Sequence, residues 1–236
     1  GVDMARVKAR KDAIVAKSSG NVERWMRSLP NASVYRGNAR FVDARTVRVG
    51  SATLTGGRVF IDVGGRPLVP KMPGLDRVNY LTSESMMDVD ELPEHLVVVG
   101  GSYIGLEFGQ MYRRFGSRVT IVEMGPRLIG REDADVSDAV RDIVEADGVE
   151  VRLDAKCLTA EPDGDGVAVG LECAAGAPRL CGTRLLLAVG RVPNTDDLGL
   201  AEAGIETGIL FLKFQFAFIA MYAFLRSRRF SDAAAA

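Results

Sequence analysis

The sequence predicts an α/β protein built on a parallel sheet. Three observations carry that expectation. Between residues 96 and 190, short runs rich in valine and leucine alternate with segments of helical period. A glycine-rich turn joins the first run to the first helix. An acidic residue closes the second run.

The elements follow in chain order. "LVVVG" (96–100) is a strand, and "SYIGLEFGQMYRRFG" (102–116) is a helix stopped by Gly116. "RVTIVE" (118–123) is a second strand. "DADVSDAVRDIVEADG" (133–148) is a helix with Val136, Val140, Ile143 and Val144 on one face and Asp147-Gly148 as its stop. "VEVRL" (149–153) is a third strand. This β-α-β-α-β order implies a parallel sheet with right-handed crossovers. Hairpin-like strands at "GVAVGLEC" and "RLCGTRLLLAVG" complete it.

Upstream, residues 3–18 read as a basic amphipathic helix, with Met4, Val7, Ile14 and Val15 near one face and a solvated basic remainder. A second helix carries Trp25, Met26 and Leu29 as core contacts. "SVYRG", "ARFVD", "TVRVG" and "ATLTG" suggest a small antiparallel meander. "RVFIDVGGRPLVP" reads as a buried strand, a glycine turn and a proline-stiffened exit.

Composition narrows the function classes. The 236 residues suffice for one large or two small domains, and 47% hydrophobic with 26% charged residues is ordinary for a globular protein. A net charge of −1 gives no field to gather nucleic acid. The N-terminus has no apolar signal region. Cys157, Cys173 and Cys181 form no C-x-x-C and no metal cluster with the single histidine, His95, which reads as a loop residue. No metal site and no disulfide framework are expected, and reduced thiols suggest a cytoplasmic setting.

The glycine turn reads Gly100-Gly101-Ser102-Tyr103-Ile104-Gly105, a G-x-G-x-x-G pattern with serine at its centre. A phosphate-binding turn needs a tight exit from the strand, close backbone approach to the pyrophosphate, and close helix–strand packing. Gly100 supplies the exit and Gly105 the packing. Ser102 is a small substitute whose hydroxyl can itself bond a phosphate oxygen. The helix start adds N–H groups and the positive end of its dipole. Glu123 ends the second strand, where an acid binds the ribose 2′-OH and repels a 2′-phosphate. Arg127 lies near it in sequence and could accept such a phosphate, but the local pattern favours NAD over NADP. The region is therefore expected to be a Rossmann-like NAD(P)-binding domain.

"GGSYIGLEFGQMYRRFGSRVTIVE", with "FIDVGGRPLVPKMPGL" and "LLLAVGRVPNTDDLGLAEAGIET", resembles the flavin-dependent pyridine nucleotide–disulfide oxidoreductases. Within them it is most similar to the mercuric reductase and dihydrolipoamide dehydrogenase branch. The resemblance runs from residue 2 to about 208. It implies a homodimeric flavoenzyme that moves a hydride from NAD(P)H to FAD, then electrons to a cysteine pair. Gly100 to Gly105 would hold the NAD(P) pyrophosphate. Tyr103 would lie over the flavin and move aside for nicotinamide, with Glu107 close by. Val63 and Gly64 would bring backbone to FAD. Gly190, Arg191 and Asn194 would form the return towards the FAD domain, with Gly190 close to NAD(P). The implied division is a partial FAD-binding domain at 1–84, an NAD(P)-binding domain at 85–190, and the return at 191–208.

The departures set further expectations. The family's own N-terminal FAD glycine motif and adjacent cysteine pair, its second FAD segment and its dimerisation domain have no counterpart in this sequence. The chain therefore reads as the middle of such an enzyme. Residues 209–236 change composition abruptly, with "ILFLKFQFAFIAMYAFL" followed by arginines. They read as a truncated or out-of-frame end, with a tail anchor over 209–229 or a buried helix as alternatives. A non-catalytic NAD(P)-binding module tethered by that tail is the second reading of function. A single-domain dehydrogenase is disfavoured, because no Tyr-x-x-x-Lys occurs.

Overall fold

A computed structural model describes residues 1–172 and 178–206. The apolar tail and Cys173 lie outside the described residues. The chain forms two compact units, Gly1–Ser28 with Pro67–Arg191, and Leu29–Arg66 with the residues from Val192 onward. The elements are α1 (Met4–Ser28), β1 (Ala39–Asp43), β2 (Thr46–Val49), β3 (Ala52–Thr55), β4 (Gly65–Pro67), β5 (Tyr80–Thr82), β6 (His95–Val99), α2 (Tyr103–Phe115), β7 (Arg118–Val122), α3 (Ala134–Ala146), β8 (Glu150–Arg152), β9 (Lys156–Asp163), β10 (Gly166–Glu172), β11 (Arg179–Gly182), β12 (Arg184–Leu187) and β13 (Arg191–Pro193).

The first unit is organised by a five-stranded sheet in the order β5-β12-β6-β7-β8. Its neighbouring strands are all parallel, with Leu186 level with Val98 and Val98 level with Ile121. The strands are near-continuous apolar runs because both faces are covered. Side chains alternate between the faces. Leu96, Val98, Val119, Ile121 and Leu186 point to the face that buries Tyr112 of α2 and Val144 of α3. Val97, Val99, Val122, Leu185 and Leu187 point to the other, against Ala160, Val167, Val169, Leu171 and Leu180. Those partners belong to a separate antiparallel sheet, β11-β10-β9. The hairpin strands therefore do not all complete the parallel sheet. Only β12 enters it, between β5 and β6, and β10 and β11 pair with each other and with β9 to form the covering layer.

Helix α2 ends as its sequence predicts. Gly116 adopts φ +118 and donates its N–H to the carbonyls of Tyr112 and Arg113. Helix α3 buries a narrower face than its pattern suggests, since Val144 is buried but Val136 and Ile143 are exposed. The two expected N-terminal helices are one, α1, running through the Ser18-Ser19-Gly20 stretch. Ion pairs one turn apart, Lys8–Asp12 and Glu23–Arg27, support it along its solvated length. Only Met4 of α1 is buried, and Trp25, Met26 and the following Leu29 are exposed rather than core contacts.

The second unit contains the meander, β1-β2-β3, antiparallel throughout. Phe41, Leu198 and Leu200 form its core, with Val47, Ile61, Val63 and Ile205 packed against them. "SVYRG" is not a strand, and the run before Gly64 is not a buried strand either. Residues 58–64 make no ladder, Phe60 is 88% exposed, and the strand in this stretch is the short β4, paired with β13.

His95 is not a loop residue. It opens β6 and is buried. Its Nε2 lies 2.9 Å from Thr120 Oγ1, and that hydroxyl donates to Glu150 Oε2 at 3.1 Å. Burial, aided by the positive charge of Arg118, pushes the imidazole below its ordinary value of 6.5. The unfolded chain then takes up the proton first as pH falls, so this contribution to stability is intact above pH 6.5 and is lost below it. We expect the urea midpoint to fall between pH 7.5 and 5.5, and to fall less in His95→Gln. Equal slopes for the two proteins would refute this assignment.

Candidate dinucleotide-binding site

The C-terminal ends of β12, β6 and β7 lie level along one edge of the sheet, with Leu187 beside Val99 and Val99 beside Val122. Ligands of open α/β sheets bind outside this edge. The chain leaves β6 at Gly100, whose N–H donates to Val122 O at 2.8 Å. Gly100 has φ +113, and a Cβ there would sit 2.4 Å from Ala188 O. Both its angle and its surroundings require glycine. Gly101 is buried, and a Cβ on it would meet Leu128 Cδ2 at 2.6 Å.

Ser102 follows with φ −99 and ψ −175, extended backbone open to any residue. This is why serine is accepted at the centre of the pattern. Its side chain is exposed and does not cap α2. The N–H groups of Tyr103, Ile104 and Gly105, in the first turn of α2, have no carbonyl partner within the helix. Gly105 is the tightest point, because a Cβ there would lie 2.0 Å from Gly100 O and 3.3 Å from Val98 Cγ1. The packing role expected of Gly105 therefore has a direct steric cause.

Glu123 follows directly on β7. Its Oε2 accepts the Gly101 N–H at 2.6 Å, and its Oε1 accepts the Gly125 N–H at 2.8 Å. One lone pair of each oxygen is used, and the rest remain for a ligand. The loop over 124–133 is also fixed to the glycine turn. Ile129 N–H donates to Gly101 O at 2.9 Å, Leu128 is fully buried, and Ser137 Oγ donates to Leu128 O at 2.6 Å. Arg127 is half-buried in the same loop. Sequence reasoning singled out Glu123 and Arg127 here and missed Gly125, Leu128, Ile129 and Glu132. The signal available was an apolar pair, Leu128-Ile129, inside an otherwise polar glycine- and proline-containing loop.

Tyr103 and Glu107 stand one turn apart on α2 and are both exposed, Tyr103 by 54%. The Tyr103 hydroxyl donates to Glu132, and this carboxylate pushes the phenol above its usual value of 10. Gly190 follows the end of β12 at the same sheet edge, with φ +140, and its carbonyl accepts the Leu68 N–H at 2.9 Å. Arg191 bonds Ser83 Oγ at 3.4 Å and pairs with Glu84 at 3.8 Å. Gly100 to Gly105, Glu107, Glu123 and Gly190 thus belong to one unit, and Val63 and Gly64 to the other. There, Asn194 N–H donates to Gly64 O and Asn194 Nδ2 to Val63 O, each at 3.1 Å, so Asn194 clamps the turn at which Gly64 has φ +64. Cys181 is a free, exposed thiol on β11, raised by its hydrogen bond with Asp163, and no metal-type cluster occurs among the described residues.

A parallel sheet, a glycine turn that excludes a Cβ at Gly100 and Gly105, a helix start and an acid held beside them define a Rossmann-like α/β protein. Residues 3–212 match the pyridine nucleotide-disulphide oxidoreductase family, and the chain belongs to it. Mercuric reductase of Lysinibacillus sphaericus is 33% identical over 88% of this chain and 38% of its own length. Dihydrolipoyl dehydrogenase of Geobacillus stearothermophilus is 35% identical over 87% of this chain and 44% of its own. Among solved structures, the HOCl-induced flavoprotein disulfide reductase RclA of Escherichia coli superposes with a TM-score of 0.79 at 31% identity, over 88% of this chain and 47% of that one. The chain therefore spans less than half the length of these relatives.

Two expectations follow from the geometry. Gly105→Ala forces α2 away from Gly100, and we expect it to cost about 1–3 kcal/mol in urea unfolding; an unchanged midpoint would contradict the contact. Glu123→Gln turns an amide NH₂ against either the Gly101 or the Gly125 N–H. We expect a loss of roughly 1–3 kcal/mol, while Glu123→Asp, tested alongside, separates lost reach from lost charge.

Proposed function

We propose that the first unit binds a nicotinamide dinucleotide across the ends of β12, β6 and β7, and serves a flavin-dependent oxidoreductase. The observation that carries this reading is Glu123, held by two backbone N–H groups beside a glycine turn that admits no Cβ at Gly100 or Gly105. The turn from Gly100 to Gly105 receives the pyrophosphate on the free N–H groups of α2. Glu123 accepts the adenosine ribose hydroxyls. Gly190 borders the nicotinamide half, and Tyr103 and Glu107 face it from α2. FAD, when bound, would supply the hydride-accepting chemistry that links NAD(P)H to a disulfide or similar acceptor. Val63 and Gly64, in the second unit, would bring backbone to FAD, and Arg191, in the first, would begin the return segment. The family reading also brings a homodimer and a cytoplasmic setting. No helix among the described residues is long and apolar enough to cross a membrane. The domain division proposed from the sequence, at 84 and 190, differs from the compact units, which divide at 28, 66 and 191.

NAD is favoured, because a 2′-phosphate would meet the Glu123 carboxylate. We expect calorimetric titration to give NADH at least about tenfold tighter binding than NADPH, a difference of about 1.4 kcal/mol. Equal affinities would overturn the NAD assignment. Incubation with FAD followed by desalting tests the flavin role. Retained flavin absorbance that bleaches with NADH supports hydride transfer, and a colourless protein confines the function to dinucleotide binding.

A further inference from the structure

We propose that α1 is a docking surface for an anionic lipid bilayer, with its apolar stripe as the buried face and a row of arginine and lysine as the electrostatic anchor. The inference is independent of the dinucleotide site and goes beyond it. At about 100° per residue, Val7, Ile14, Val15, Val22, Trp25 and Met26 fall within an arc of about 120°. Met4 lies on the same arc and is the one buried residue of the helix. Lys11 reaches Asp88 at 2.9 Å, so the N-terminal half of the stripe is tied to the rest of its unit. Beyond it, Ile14, Val15, Val22 and Trp25 are each more than half exposed, Trp25 by 62%. This free part runs about 20 Å. A helix that buries so little is marginal in water, and Ser18, Ser19 and Gly20 at its middle are poor helix formers.

Charge decides the occupant. Helix α1 carries seven basic and two acidic side chains, in a chain whose net charge is −1. Arg6, Arg10, Lys17 and Arg24 fall within an arc of about 40° along one border of the stripe, and all four are exposed. Arg6, Arg10 and Lys17 take part in no ion pair among the described residues. The two acids are already met, Asp12 by Lys8 at 2.7 Å and Lys11 at 2.5 Å, and Glu23 by Arg27 at 2.9 Å. What stays unmatched is a row of cations about 27 Å long beside an apolar stripe. A sheet of anionic headgroups meets such a row along its whole length, while the stripe enters the boundary with the acyl chains. Trp25 suits that boundary, with an apolar ring and a single N–H. A second copy fits poorly, because pairing two such helices brings like charges together.

Trp25 is the only tryptophan of the chain, so its emission reports on the proposed contact. The test mixes the full chain with vesicles of phosphatidylcholine, alone or with about 30% phosphatidylserine, and follows Trp25 emission and co-sedimentation. Anionic vesicles should shift the emission to the blue and carry the chain down, and neutral vesicles should bind it at least about tenfold more weakly. Raising salt to about 0.5 M should weaken the anionic binding. Arg10→Glu combined with Lys17→Glu should weaken it by more than about tenfold, while Arg10→Lys, which keeps the charge, should bind as the wild type does. Val22→Asp, on the stripe, should weaken it with the fluorophore still in place. Binding that ignores lipid charge, or that the charge reversal leaves unmoved, would assign membrane affinity to the apolar 209–225 run and overturn the proposal. So would a chain that binds neither vesicle. A blue shift that grows with protein concentration in the absence of lipid would put a second copy on the stripe instead. A shift with polyglutamate but with neither vesicle would give the surface to an acidic protein, and either result overturns the lipid assignment.

Discussion

The closeness of α2 to the Gly100 carbonyl governs the geometry of the candidate site. Gly105 lets the helix settle where any Cβ would strike that oxygen. The helix start then stands close against the end of β6, with the first N–H groups of α2 left without helix partners. If α2 moved away, those groups would be aimed elsewhere, and the positive end of the dipole with them. The Gly101 carbonyl and N–H would also lose their register with Ile129 and Glu123. One missing methyl group therefore sets the position of the turn, the acid and the loop after β7 together.

Much of this was legible in the sequence. The strands β6, β7 and β8, both following helices and the Gly116 stop are local patterns, and local patterns suffice to define them. The glycine turn and Glu123 were legible for the same reason, since the spacing between them equals one βαβ passage. Membership of the family followed from three separated motifs in the right order. Ser102 looked like a defect in its motif. Its extended backbone shows that the central position never needed a left-handed residue.

What the sequence concealed depends on partners distant in the chain. β5 is three residues long and exists as a strand because β12, a hundred residues later, lies beside it. The apolar run before Gly64 has no such partner among the described residues and is irregular, with Phe60 exposed. Trp25 and Met26 carried a helical apolar pattern, but pattern alone does not say whether anything packs against it. His95 opens a strand rather than a loop because its backbone pairs with Arg118 on the next strand. Glu132 had no signal, since its hydrogen bond with Tyr103 depends on a loop tied back to the glycine turn through Ile129 and Gly101.

The place of β12 in the sheet has a consequence for synthesis. It is the last strand of the five to leave the ribosome, yet it sits inside, between β5 and β6. Until residue 187 has emerged, β6 is an edge strand with the apolar run Leu96 to Val99 unpaired on one side. Such an edge is a template for pairing with another chain, and contacts spanning so many residues close slowly. The nascent protein therefore passes through a stage at which its most buried strand is its most adhesive surface, and a chaperone that masks β6 would act on that stage.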